Sequence, residues 1–217
     1  MIKGIARLKK RLPRWKKAEF EAVRYVPTNV KALLTEMKDI SEIIVDLAYS
    51  AALYKNREIA EEVKYLEVRM DKLNYQIRMI AMLAARDPQD AEQLAGVLQI
   101  AEAAESISNA AGDIASLVYS AEATEPVFSY IMERSIEKIG RMIVSPNSKA
   151  CGISLDELEI ELKTGCKAIA IRRGETWIYD PDETTKILEK DSLLVVGPKE
   201  GLKKLRSFLK GEKELLE

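Results

Sequence analysis

The chain has 217 residues, 47% of them hydrophobic and 32% charged, with a net charge of −1 at pH 7. That composition allows one or two domains with apolar cores and a well-solvated surface. It contains no histidine, which excludes Ser-His-Asp and Cys-His catalytic sets and any His-ligated zinc or iron site. Abundant charge of both signs also suits a thermophile, because surface ion-pair networks lose less to desolvation when hot. Cys151 and Cys166 do not form a C-x-x-C pair and are expected as free, buried thiols in a reducing cytosol. No apolar run approaches the ~18 residues of a membrane span, and the basic N-terminus lacks the apolar stretch of a secretory signal. The expected location is cytoplasmic, with the basic N-terminus able to reach the inner face of the membrane.

Residues 1–27 form a basic arm. Its first 24 residues carry nine basic side chains against Glu19 and Glu21, a net +7, beside Ile2, Ile5, Leu8, Leu12 and Trp15. Such an arm can lie on anionic lipid, at roughly 1 kcal/mol per basic residue near the surface. It reads more simply as solvated or docked on a partner. Nucleic acid is not an expected partner, because no recognised binding fold accompanies the charge.

Three heptad patterns fill residues 28–119. Val30, Leu33, Met37, Ile40, Ile44, Leu47, Ala51 and Tyr54 alternate spacings of three and four, which predicts a helix with one apolar seam. Thr28 or Asn29 can cap its start, and Asn56 marks the turn. Ile59, Val63, Leu66, Met70, Leu73, Ile77 and Ile80 predict a second helix ending near Pro88. The third begins at Pro88 and is rich in small residues, among them Ala101, Ala104, Ala111, Gly112 and Ala115. It is expected to be the central, most buried helix. Together they predict an elongated antiparallel bundle over residues 28–125, about 45 Å long at 1.5 Å per residue. A connecting helix is expected over 126–138.

The apolar period then changes. Arg141–Val144, Cys166–Arg172, Trp177–Tyr179 and Ser192–Val196 read as strands. Ser154, followed three residues later by Glu157, is a capping-box pattern. Gly201–Lys210 closes the chain as an amphipathic helix. The fold class is therefore α+β in two domains, the second over residues 139–217, and so small that dimerisation would strengthen its core.

Within that second domain, Cys151-Gly-Ile-Ser-Leu-Asp-Glu-Leu158, Ala168-Ile-Ala-Ile-Arg-Arg-Gly174 and Lys190-Asp-Ser-Leu-Leu-Val-Val-Gly197 resemble the TrkA C-terminal (RCK-C) family over residues 139–210. Lys190 stands where that pattern usually has glycine. The helical half resembles the PhoU family, whose bundles carry E-x-x-x-D pairs that can hold metal. Glu67-Val-Arg-Met-Asp71 matches that pair, and Glu105-Ser-Ile-Ser-Asn109 has Asn in place of Asp, with Asp113 one turn on. The combination resembles archaeal potassium-channel-related regulatory proteins.

Residues four apart share a helix face, so Glu67 with Asp71 and Glu105 with Asn109 can each present two oxygens to a hard cation. A divalent metal is thus a candidate cofactor, expected to bind weakly because Asn109 removes a charge. The ordinary alternative is a solvated acidic face. Arg172 and Arg173 at a hairpin end, with Asp191 on the neighbouring motif, are the candidate ligand-binding residues, suited to a small anion at a dimer seam. At an exposed turn, the two arginines are expected to be replaceable with little loss of stability. The glycines include no G-x-G and no Walker spacing, so no NAD or ATP site is expected. Asp180 and Asp182 flank Pro181 in a turn and carry no catalytic reading.

The resemblance implies a non-enzymatic, homodimeric regulatory subunit of cation transport, most directly of potassium, that senses a small ligand and acts on a membrane channel or transporter. The alternative is a PhoU-type metal-binding or phosphate-signalling scaffold in which the second domain only dimerises.

Overall fold

The computed structural model describes residues 12–120, 130, 134, 138–174 and 176–216. The chain divides into two compact units, Met1–Glu122 and Ala123–Glu217.

The first unit is helical. α1 (Arg14–Glu19) is short, and α2 (Val30–Tyr54), α3 (Arg57–Ala84) and α4 (Pro88–Ser116) form a bundle in which each packs on the other two. The starts follow from capping. The Asn29 side chain accepts from the Lys31 amide, Asn56 from Glu58 and Ile59, and Asp87 from Asp90. Pro88 occupies the first turn of α4, where its missing N–H removes no helical bond. Met37, Ile44, Leu47, Met70, Leu73 and Ile77 are fully buried in the core.

The Ala-rich α4 differs from its expected role. Its buried residues are Ala101, Ala104, Ser108, Ala111, Gly112 and Ala115, none of them before Ala101, whereas α3 buries ten residues along its length. Small side chains bring α4 close to its neighbours but give it little apolar volume to hide.

Part of the basic arm docks on this unit. Arg14 Nη1 donates to the buried carboxylate of Glu62 at 2.8 Å, and its guanidinium lies 3.6 Å from the centre of the Tyr65 ring. Lys72 Nζ donates to the Ala18 carbonyl. The arm's apolar residues Ile2, Ile5 and Leu8 lie outside the described residues, as does most of the connecting helix expected over 126–138; Tyr130 and Arg134 are described and are helical, whereas Lys138 is already extended in a strand.

The second unit contains a four-stranded antiparallel sheet of β1 (Lys138–Ile143), β2 (Lys167–Arg173), β3 (Thr176–Tyr179) and β4 (Ser192–Gly197), in the order β1-β4-β2-β3. α5 (Leu155–Leu158) and α6 (Ile160–Thr164) precede β2, and α7 (Lys199–Leu209) follows β4. The capping box is present: Ser154 Oγ accepts from the Glu157 amide and the Glu157 carboxylate accepts from the Ser154 amide. Ile171, Leu193, Val195, Leu205 and Leu209 form the centre of the core. Cys166 is buried within it, and both cysteines are free thiols.

The start of α7 fits only because residue 201 is glycine. A β-carbon there would overlap the Thr164 carbonyl oxygen and stand 2.9 Å from Cys166 Sγ. Backbone contact is the least yielding kind, so Gly201→Ala is expected to destabilise this unit by about 3 kcal/mol. A chemical-denaturation midpoint within error of wild type would refute that packing.

Candidate functional site

The three ligand-binding candidates of the second unit meet at one end of the sheet, but not as a free anion cradle. Arg173 grips Asp191 with both arms of its guanidinium, Nε to Oδ1 at 3.0 Å and Nη2 to Oδ2 at 2.7 Å. Nη2 also donates to the Lys186 carbonyl at 2.7 Å, and the Leu188 amide donates to Asp191 Oδ2 at 2.8 Å. Asp191 is 1% exposed, so this fork-to-fork pair is a structural clamp between the end of β2 and the loop before β4. The Asp191 hydrogen bond and burial shift the Arg173 guanidinium in opposite directions, and the net effect is to raise it.

Arg172 precedes it on β2, opposite Trp177 on β3 and Ser192 on β4, and is half-buried. Successive strand residues point to opposite faces. The two guanidiniums therefore do not converge on one ligand. The expectation that both arginines are dispensable for folding fails for Arg173, because its loss strands a buried carboxylate. The loop before β4 turns at Lys190, whose φ of 64° explains why glycine suits this position.

A groove of about 550 Å³ lies elsewhere on this unit, between α5, α6, the start of β2 and the turn after β3. Asp156, Glu159, Glu161, Asp180, Asp182 and Glu183 line it, with Lys167 paired to Asp180 at 3.0 Å. Hydroxyls of Thr184 and Thr185 donate to Asp182 at 2.8 and 2.9 Å and hold its carboxyl below the ordinary range. Such a wall repels an anion.

In the bundle, the metal candidates occupy neighbouring faces of α3 and α4. The Glu67 carboxylate lies over Gly112, where a β-carbon would stand 2.6 Å from Oε2. Burial pushes the Glu67 carboxyl above its ordinary range; nearby Lys64 opposes this, while Asp71 and Asp113 add to it. Burial raises Asp71 as well. Glu105 accepts from Asn74 Nδ2, and Asn74 Oδ1 accepts from Arg78 Nε at 3.2 Å. Asn109 and Asp113 are exposed. Among the described residues, no group of three or more Asp, Glu or Cys side chains is arranged to hold a metal ion. Asn74, which satisfies Glu105, escaped sequence reasoning because it sits on a different helix.

Residues 34–118 match the PhoU domain model and residues 139–210 the TrkA-C domain model. The chain carries a PhoU domain followed by a TrkA-C domain. No curated protein matches it. Among solved structures, it is similar to the RCK C domain of the potassium transport protein KtrA in complex with c-di-AMP, at 25% identity over 39% of this chain and 98% of that one, with a TM-score of 0.32. It is similar to the GsuK channel bound to NAD, at 17% identity over 54% of this chain and 21% of that one, TM-score 0.32. It is also similar to S. agalactiae BusR in complex with its busAB-promoter DNA, at 18% identity over 81% of this chain and 96% of that one, TM-score 0.32.

Two expectations are corrected by these matches. The exclusion of an NAD or ATP site does not stand beside structures bound to NAD and c-di-AMP. A missing G-x-G removes only the glycine-loop cradle, which is one way among several to hold a nucleotide. The exclusion of nucleic acid does not stand beside BusR on its promoter; the lack of a recognised motif was too narrow a ground for it.

Two outcomes test the site geometry. Arg173→Ala is expected to destabilise the TrkA-C domain by about 3 kcal/mol, because it leaves the Asp191 charge buried with a single amide donor; a melt unchanged from wild type would dismiss the clamp. For Glu67, the raised carboxyl means that the folded state binds the proton more tightly than the unfolded one. That contribution is fully present below the ordinary Glu range, near 4.5, and is lost as pH rises through the raised value. Glu67→Gln should therefore stabilise the bundle modestly at pH 7, by under about 1 kcal/mol, and the advantage should vanish near pH 4. Parallel melts across that range check the sign.

Proposed function

We propose that this chain is a regulatory subunit of cation transport, most directly of potassium, in which the TrkA-C domain senses a small ligand and the PhoU domain relays its binding to a membrane channel or transporter at the cytoplasmic face. The observation that carries the reading is the pairing in one chain of two domains that are regulatory rather than catalytic. Such control requires a ligand that binds two states with different affinity. No helix among the described residues is long and apolar enough to cross a membrane, which supports action through a partner.

The ligand is taken to be anionic, with nucleotides included, and to bind beside Arg172 at the β2 end of the sheet. The acidic groove is disfavoured for it by charge. A pair of TrkA-C domains would bring two such ends to one ligand.

A thermal-shift series with c-di-AMP, NAD, ATP and inorganic phosphate tests this. A ligand selective for the native state, present at 100 times its Kd, adds about 2.7 kcal/mol of apparent stability. The ligand that shifts the melt should then titrate calorimetrically, and Arg172→Ala should weaken it by roughly 1.5–3 kcal/mol. Unchanged affinity in Arg172→Ala would remove this arginine from the site. No shift with any of the four would remove the anionic ligand.

A further inference from the structure

α4 carries a second heptad seam that the bundle does not use. Gly96, Ile100, Ala103, Ile107, Ala110 and Ile114 follow one another at spacings of four and three. They run beside the buried stripe of Ala101, Ala104, Ser108, Ala111 and Ala115. Ile100 is 60% exposed and Ile107 44%, Ile114 is half-buried, and Gly96, Ala103 and Ala110 are exposed. The space where a Gly96 β-carbon would sit is open, with nothing within 4 Å. A sustained heptad of this kind on a solvent-facing side marks a helix-packing surface.

The pattern within the seam selects the occupant. Its large residues are all isoleucine at one heptad position, and its small residues, Gly96, Ala103 and Ala110, fall at the other. In antiparallel pairing the two positions lie opposite each other. A two-fold axis between Ala103 and Ile107 then sets Ile107 of one copy against Ala103 of the other, Ile100 against Ala110, and Ile114 against Gly96. Every isoleucine meets a gap of complementary size, and small residues let the backbones approach closely. A parallel arrangement would instead stack isoleucine on isoleucine and alanine on alanine. Such self-complementarity is the mark of an isologous contact.

Charge agrees. α4 has no Lys or Arg, and its five acids, Asp90, Glu92, Glu102, Glu105 and Asp113, all lie off the seam. An anionic lipid surface or a polyanion would find nothing basic on this helix to hold it, whereas a second copy brings no charge into the seam.

We infer that a second copy of this chain docks here, α4 against α4 in antiparallel register, joining two bundles. The inference rests on this seam and not on the ligand reading, so the two can fail separately.

Register-specific cross-linking of the full chain tests it without any ligand. Ala103→Cys and Ile107→Cys are made separately in a Cys151→Ser background and mixed under copper–phenanthroline oxidation. Ile100→Cys and Ala110→Cys form a second pair. All four positions are accessible, so melts close to wild type are expected. Each mixed pair should give a reducible covalent dimer in high yield, and each variant alone very little, since identical positions sit too far apart for a disulfide. Efficient cross-linking of single variants would indicate parallel packing and overturn the proposal. So would the absence of dimer in both mixtures, which would leave the face to a different protein.

Discussion

Three missing β-carbons set the geometry of both units. In the bundle, Gly112 lets the Glu67 carboxylate lie against the α4 backbone. In the TrkA-C domain, Gly197 sits against Cys166, and Gly201 lies against the Thr164 carbonyl, so α6, the start of β2 and the start of α7 close on one another with no side chain between them. Interiors pack at crystal-like density and transmit displacement rather than absorbing it. Closing this corner of the domain fixes where α7 lies, and α7 supplies Leu202, Leu205, Phe208 and Leu209 to the core. The Cys166 thiol is sealed there, and burial pushes it above its ordinary range, so its role is packing rather than reactivity.

Charge is handled differently in the two units. In the TrkA-C domain the buried carboxylate of Asp191 is satisfied by two arms of one arginine and a backbone amide. In the bundle, Glu62 is buried and met by Arg14 from the arm, while Glu67 has acidic neighbours on both helices. The first arrangement ties a loop to a strand. The second ties the arm to the bundle through a buried carboxylate. A segment that reads as solvated, docked on a partner or laid on lipid thus supplies a cation to the bundle of its own chain.

Much of the fold was legible because it rests on local signals. Asn29, Asn56 and Pro88 mark helix starts, and the Ser154–Glu157 box marks a turn of helix; each works within three or four residues of itself. The strands followed from short apolar runs that break the helical period of the first unit. What stayed hidden depends on contacts distant in sequence. Arg173 and Asp191 are 18 residues apart, Arg14 and Glu62 are 48, and Asn74 and Glu105 are 31. No periodicity encodes such pairs, so Arg173 read as an exposed turn residue. The Ala-rich helix misled for a related reason: small residues report how closely helices approach, and closeness is not burial. Lys190 was legible only through the family pattern, which asked for glycine where the backbone is left-handed.

The sheet order has a mechanical consequence. The TrkA-C domain is entered from the linker at Lys138, the first residue of β1, and β1 is an edge strand bonded only to β4 within the sheet. Its ladder runs from Lys138 opposite Gly197 to Ile143 opposite Ser192. A load at Lys138 falls on this row of hydrogen bonds and on the packing of β1 against α7, with the glycine-packed corner at one end of the row and the residue after Asp191 at the other. The next residue, Val144, exchanges backbone hydrogen bonds with the turn that holds Asp191, accepting from Lys190 and donating to the Asp191 carbonyl, each at 2.9 Å. β1 thus joins the point where the chain enters the sheet, Lys138, directly to the loop that Arg173 clamps.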